Sequence, residues 1–354
     1  MILKKALIAI SGGVDSSASA LIMKEQGYDC LGVTMKLHSS RDIIGEGCVT
    51  SRDIEDAKNV CKSLGIDHSV VDFSSDFEKY VIKNFIEAYE NGATPNPCIE
   101  CNYHLKFDKL FEYGRSLGFD TIVTGHYARI EFDERYGRRV LKKGLDASKD
   151  QSYVLFRLSR EQIEHTMFPL GALSKAEVRA IAERAGLDVS SKKDSQDICF
   201  IPDGDYAKFI ENYTKKEYPC GNFVTLDGKI LGQHKGIIRY TIGQGKGLGL
   251  ALPHRMYVCE KRLDTNEVVI GDDEDLFTRE LVADNVVLSA VDSIDKPMRV
   301  KARVRYKHAE QNAYATLENG LLHVVFDEPQ RAICKGQSVV LYDGDIVIGG
   351  GIIK

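Results

Sequence analysis

Residues 6–10 are an unbroken apolar run that ends on Ser11-Gly12-Gly13-Val14-Asp15-Ser16-Ser17. So short a run, with no polar alternation, is the pattern of a strand buried on both faces of a parallel sheet. The glycine loop opens a helical stretch over 16–26 that stops at Gly27, and 30–35 reads as the next strand, completing a βαβ unit. The alternation continues with a helix over 53–64, a strand over 69–73, helices over 77–91 and 105–117, and a strand over 121–124. This predicts an α/β fold with a doubly wound parallel sheet. Such sheets bind ligands at the carboxyl ends of their strands, where 11–16 and the Gly125-His126 pair both fall.

Past residue 205 the texture changes to short β-rich runs punctuated by glycine, as in 222–230 and 237–250. Strands expected at 282–288, 298–306, 313–317, 321–326 and 338–342 predict a C-terminal antiparallel β-barrel. The expected domains are therefore 1–205, catalytic; 206–278, a small β-rich central domain; and 279–354, the barrel. With 43% hydrophobic and 28% charged residues, the 354-residue chain is excluded from the disordered class. Its N-terminal apolar run meets Ser11 too soon for a signal peptide, and no segment reaches the roughly 18 apolar residues of a membrane span. A cytoplasmic protein with no membrane partner is expected. A net charge of −5 excludes a uniformly basic nucleic-acid binder and leaves room for a local basic face.

Glycines between a strand and a helix let the backbone approach an anion, and the helix N-terminus offers unpaired N–H groups, so phosphate is the natural ligand. No GxxxxGK[ST] occurs, and Gly243-Gln244-Gly245-Lys246-Gly247 lacks both the spacing and the hydroxyl of a Walker loop. The alternative is a tight turn with a Ser/Asp helix cap. As it stands, the loop resembles the SGGxDS loop of the PP-loop ATP pyrophosphatases, which cleave between the α and β phosphates and transfer AMP. That resemblance implies ATP as co-substrate and Asp15 as the Mg2+ contact.

Nine cysteines without a secretory signal point to reduced thiols, a metal site or sulfur chemistry. Cys98 and Cys101 lie in Thr94-Pro95-Asn96-Pro97-Cys98-Ile99-Glu100-Cys101-Asn102, just before a predicted helix, a placement expected to lower a thiol pKa toward neutrality. Cys199 is far away in sequence. Cys30, Cys61, Cys259 and Cys334 fall in strand or helix patterns and are expected to pack; Cys48 and Cys220 fall in loops.

The loop and the cysteine segment occur with TMK at 34–36, TGHYA at 124–128, KDQSY at 149–153, KKDSQDICFI at 192–201 and GGGII at 349–353. In that order they resemble the bacterial tRNA-specific 2-thiouridylases, tRNA-uridine 2-sulfurtransferases of N-type PP-loop topology, over essentially the whole chain. The resemblance implies that ATP activates O2 of a tRNA wobble uridine and that sulfur from a cysteine persulfide replaces it. Cys199 would carry the persulfide, and Cys101 would assist release and close a disulfide with it. Ala9, Ile10, Ser11, Gly12, Gly13, Val14, Asp15, Ser16, Met35 and Gly125 would contact ATP. His126 would lie beside the target base; Lys149, Asp150, Gln151, Arg305 and Tyr306 would contact tRNA, with Gln337 near the uridine. Partners implied are tRNAs for Lys, Glu and Gln and a cysteine desulfurase or sulfur relay protein. Two positions depart from the family pattern. Gly245 stands where arginine is common, and Cys98 where aspartate is common, so Cys98, Cys101 and Cys199 are also candidates to hold a [4Fe-4S] cluster.

Arg299, Lys301, Arg303, Arg305 and Lys307 alternate with apolar residues, and a strand there would set five cations on one RNA-facing side. Arg135, Arg138, Arg139, Lys142 and Lys143 form a second basic stretch on an expected hairpin. The competing readings are another PP-loop enzyme that adenylates a tRNA or a small molecule for an amine nucleophile, and a non-catalytic RNA-binding redox sensor.

Overall fold

Strands Lys5–Ala9 (β1), Asp29–Lys36 (β2), Asp67–Asp72 (β3), Thr121–Val123 (β4), Ala128–Asp133 (β5), Arg138–Lys143 (β6) and Thr166–Met167 (β7) occupy the first half of the chain. The computed structural model describes residues 4–38, 50–187 and 198–354. Cys48 and residues 192–197 of the KKDSQDICFI segment lie outside them. Five of the strands form a parallel sheet in the order β3-β2-β1-β4-β7. The two faces of β1 explain its unbroken apolar character. Ala6 and Ile8 pack with Ala57, Val60 and Cys61 on one side, while Leu7 packs with Leu110 and Phe111 on the other. Each large apolar side chain so buried contributes about 1.5–3 kcal/mol.

The helices around the sheet are set by local signals. Ser51–Leu64 starts on a capping box between Thr50 and Asp53 and stops at Gly65 in the left-handed region. The helix expected from 105 begins earlier, because Asn96 caps Pro97–Glu100 through the Cys98 amide and Pro97 takes its first turn. It continues as a π-helix over Cys101–Lys109 and as an α-helix over Leu110–Ser116.

The middle segment holds Gly221–Thr225 (β8), Ile230–His234 (β9), Tyr257–Arg262 (β10) and Glu267–Gly271 (β11), ordered β10-β11-β8-β9. The β-rich run expected over 237–250 forms no strand; glycines 243, 247 and 249 adopt positive φ there and break any ladder. The last segment holds Phe277–Leu288 (β12), Met298–Arg303 (β13), Gln311–Glu318 (β14), Leu321–Arg331 (β15), Ser338–Asp343 (β16) and Ile346–Ile353 (β17). These pair antiparallel, and β12–β17 pairing closes a six-stranded barrel. Sequence reading missed β17, whose glycines mask it. At Gly349 a Cβ would come within 2.1 Å of the Val287 carbonyl oxygen, so the closing strand approaches β12 only where side chains are absent. The β5–β6 hairpin leaves the parallel sheet and pairs with β17, tying the first domain to the barrel.

Candidate active site

The loop after β1 is built as an open helix N-terminus. Gly12, at φ 70°, lies so close to the Ser51–Leu64 helix that a Cβ would sit 2.5 Å from the Asp53 carbonyl oxygen. Gly13 caps the Val14–Glu25 helix and brings no side chain to its first amides. Those amides are what an anion would meet. Ser16 Oγ ties the loop together, accepting from the Ser11 amide at 3.2 Å and donating to the Gly13 carbonyl at 3.0 Å. Gly125, just past β4, packs on the same turn; a Cβ there would be 2.9 Å from the Asp15 carbonyl carbon. Ala9, Ile10 and Met35 lie at the same sheet edge, with Thr34 Oγ1 donating to the Ile10 carbonyl at 2.8 Å.

Asp15 is held by two groups that sequence reading passed over. Lys175 Nζ donates to both carboxylate oxygens at 2.8 Å, and the Tyr127 hydroxyl donates to Oδ1 at 2.8 Å. Tyr127 lay inside TGHYA, and Lys175 opens a helix marked by the Ser174/Glu177 capping box, but nothing local pairs either with residue 15. Gln151 accepts from the Tyr127 amide at 3.0 Å and so steadies this arrangement.

The sulfur residues converge from two segments. Cys199 is exposed, but its neighbour Phe200 is buried and packs edge-on against Phe77 and Phe85, with ring centroids at 5.7 and 5.3 Å. This anchor brings Cys199 within electrostatic reach of both Cys98 and Cys101. Cys101 is buried, whereas Cys98 keeps accessible surface around a closely packed sulfur. Burial raises the pKa of both thiols, that of Cys101 to about 12; the Cys199 sulfur adds to the rise and the Lys106 ammonium opposes it. The expected lowering at a helix N-terminus is therefore reversed, because desolvation outweighs the helix dipole. Cys30, Cys61 and Cys334 are buried as expected, Cys259 is half-buried and Cys220 exposed.

His126 is buried, its Nδ1 2.6 Å from Thr124 Oγ1, and its ring packs on Phe107 and Phe168. Desolvation, with a further contribution from Lys106, holds its pKa well below the usual imidazole value, so it is neutral at pH 7. Lys106 thus lies close to His126, Cys98 and Cys101 together. His126 in turn adjoins Gly125, which touches the anion loop.

The residues assigned to tRNA are placed differently from one another. Lys149 is half-buried. Asp150 is buried, accepting from the amides of Gly144 and Ser152 at 3.0 and 3.1 Å. Arg305 donates to the Ile242 and Ala332 carbonyls, and the Tyr306 hydroxyl to the Asp150 carbonyl. Gln337 donates to the Thr94 carbonyl at 2.7 Å, docking the barrel on the cysteine segment. The row of five cations on one strand face does not form, since β13 ends at Arg303 and the chain turns inward. Arg299 is paired with Asp327 through two bonds of 2.6 Å, and Arg303 lies 3.6 Å from Asp150. On the β5–β6 hairpin Arg135, Arg138 and Lys143 pair with Asp343, Asp292 and Glu310. These basic stretches are largely neutralised within the molecule.

Among the described residues no group of three or more His, Cys, Asp or Glu is arranged to hold a metal ion. As placed, Cys98, Cys101 and Cys199 do not make a ligand set for a cluster. Asp15 is one carboxylate already engaged, so the loop by itself is not a magnesium cage.

A helix N-terminus on the carboxyl edge of a parallel sheet is the anion site of an α/β nucleotide-binding domain, and the SGGVDSS sequence that builds it here resembles the loop of the PP-loop ATP pyrophosphatases. Accordingly, a family model described as the tRNA methyl transferase HUP domain matches residues 4–203. Models described as the tRNA methyl transferase PRC-barrel domain and the aminomethyltransferase beta-barrel domain match 207–272 and 278–353. A tRNA-specific 2-thiouridylase MnmA of Clostridioides difficile is 48% identical over 99% of this chain and 98% of its own length. Another from Acetivibrio thermocellus is 47% identical over 99% of each. The chain belongs to the MnmA family. A solved 4-thiouridine synthetase–RNA complex with bound ATP is similar over 59% of this chain and 50% of its own, at 17% identity and a TM-score of 0.35, too slight a likeness to carry argument. No helix among the described residues is long and apolar enough to cross a membrane.

Proposed function

We propose that this chain is a tRNA-uridine 2-sulfurtransferase that adenylates O2 of the wobble uridine with ATP and replaces that oxygen with sulfur carried on Cys199. The observation that carries the reading is that Cys199 lies within electrostatic reach of Cys101, on a segment whose Lys106 also reaches His126, the residue after the Gly125 that packs on the anion loop. Methyl transfer, named in two of the family descriptions, gives no use for an ATP loop and paired thiols at one place.

The loop amides at Gly13 to Ser16 hold the ATP phosphates, and Asp15 is the residue that would hold a magnesium ion arriving with ATP, which would offset the phosphate charge there. Uridine O2 attacks the α phosphorus and pyrophosphate leaves. The terminal sulfur of the Cys199 persulfide then attacks C2, and the C2–O2 bond breaks with AMP leaving. Cys101, as thiolate, attacks Cys199 Sγ, the bond to the transferred sulfur breaks, and its electron pair stays on the sulfur of 2-thiouridine. The two cysteines are left as a disulfide, which a thiol reductant must reopen. His126, buried and neutral, offers the base a ring face without a charge. Lys149 contacts the tRNA, Arg305, Tyr306 and Gln337 fix the barrel beside the uridine, and a cysteine desulfurase or relay protein loads Cys199 at its exposed position.

Cys199→Ser should abolish thiolation of unmodified tRNA, read on a mercury-containing gel, while tRNA-dependent pyrophosphate release stays within about threefold of wild type. Retained thiolation refutes Cys199 as carrier. Iron and acid-labile sulfide on anaerobically purified wild type, with activity lost on their removal, would instead favour the cluster route.

A further inference from the structure

Lys106 is the charged residue of the sulfur site for which the reaction as written has no use. It follows Cys101 by five residues on the π-helical stretch Cys101–Lys109. An α-helix, turning about 100° per residue, would point residues i and i+5 about 140° apart. A π-helix, with about 4.4 residues per turn, brings them within about 50°, so the unusual winding sets Lys106 on the Cys101 side. The winding is held by what flanks it. Leu105 and Phe107 are buried on either side of Lys106, and Gln162 Nε2 donates to the Phe107 carbonyl at 3.0 Å. Other cations here are neutralised: Lys109 pairs with Glu112 at 2.7 Å, and Arg157 with Glu100. Lys106, half-buried, forms no salt bridge or hydrogen bond within the described residues. A half-buried ammonium with no anion among the described residues, within electrostatic reach of two thiols, is placed to meet negative charge that arises only during the reaction.

We propose that Lys106 is a positioning residue for sulfur transfer, its ammonium offsetting the negative charge on Cys101 Sγ as that sulfur attacks Cys199 Sγ. The proposal rests on the Cys199/Cys101 reading above. The proton lost from Cys101 goes to solvent, the bond between Cys199 Sγ and the transferred sulfur breaks, and the new Cys101–Cys199 bond forms. The sulfane sulfur is reduced to the thiocarbonyl level while the two cysteines are oxidised, so one turnover from a loaded persulfide needs no outside reductant. Lys106 touches no substrate atom in this step and acts through Cys101. Burial alone would leave Cys101 protonated; among the described residues the Lys106 cation acts the other way.

The test uses the full chain, loaded with one persulfide and mixed with ATP and unmodified tRNA without reductant. Wild type should yield close to one 2-thiouridine and one Cys101–Cys199 disulfide per chain. Lys106→Met should slow disulfide closure, followed by mass spectrometry, by at least about tenfold, with tRNA-dependent pyrophosphate release within about threefold of wild type. Lys106→Arg should recover most of the rate, because it restores the charge. If the Met variant does not fold, Lys106→Gln takes its place in the same comparison. Closure at the wild-type rate without the charge overturns the proposal. Parallel loss of pyrophosphate release and closure, unrecovered by Arg, also overturns it, since that is the mark of a structural role. Thiolation persisting in Cys199→Ser overturns the underlying reading as well, and so tells the two failures apart.

Discussion

Lys261, on β10, carries an ammonium that folding buries, and among the described residues its Nζ has no hydrogen-bond partner. Desolvation lowers its pKa from 10.5 to about 8. At ~1.36 kcal/mol per pKa unit, holding this charge in the folded state at neutral pH costs roughly 3 kcal/mol. The folded form binds fewer protons than the unfolded form between pH 8 and 10.5, so stability attributable to this residue rises with pH across that window. The cost is in full force below pH 8 and gone above 10.5. Lys261→Met keeps the aliphatic stem and removes the ammonium. At pH 7 the Met variant should be the more stable by about 2–3 kcal/mol in urea unfolding, with the gap closing toward zero by pH 10.5. Other thiols and phenols titrate in the same range, but they are common to both proteins and cancel in the difference. A Met variant no more stable at pH 7, or a gap that stays constant across the window, would refute the reasoning.

Gly12→Ala puts a Cβ against the Asp53 carbonyl oxygen at a residue with φ 70° and should cost more than ~1 kcal/mol, with loss of ATP binding, checked by thermal melting and nucleotide titration. Unchanged melting and ATP affinity would show that the loop does not need this glycine. Phe200→Ala removes a ring that packs on Phe77, Phe85 and Phe209 and should cost ~3–5 kcal/mol. Because the ring also anchors Cys199, disulfide closure with Cys101 should slow more than pyrophosphate release. Equal effects on both would count against the anchor.

What the sequence shows by itself is whatever depends on neighbours in the chain. The glycine loop and the strands β1 to β4 are local patterns, and each lies within a few residues of its expected place. The sulfur site is legible only as a set of cysteines, because its geometry comes from contacts remote in sequence. Phe200 fills a core made by residues more than a hundred positions earlier, and Asp15 meets Lys175 across 160 positions. The misread basic strand has the same origin. Alternation of Arg and Lys with apolar residues holds from Arg299 onward, but the ladder with β16 ends at Arg303, so Arg305 reaches carbonyls of the central and barrel segments instead of solvent.

The thiol pKa shows why placement in sequence is a poor guide to ionisation. A helix N-terminus stabilises a thiolate by roughly 0.3–1 kcal/mol when exposed, whereas desolvation of a buried thiol works against it by several times as much. The short Asn96-capped turn sits under Thr94, to which the barrel is tied through Gln337, and it opens into the helix that buries Cys101. The packing that assembles the site is therefore the packing that disfavours its nucleophile. A site so built needs a cation inside it or leaves its second thiol idle, and Lys106 is the cation the π-helical winding delivers.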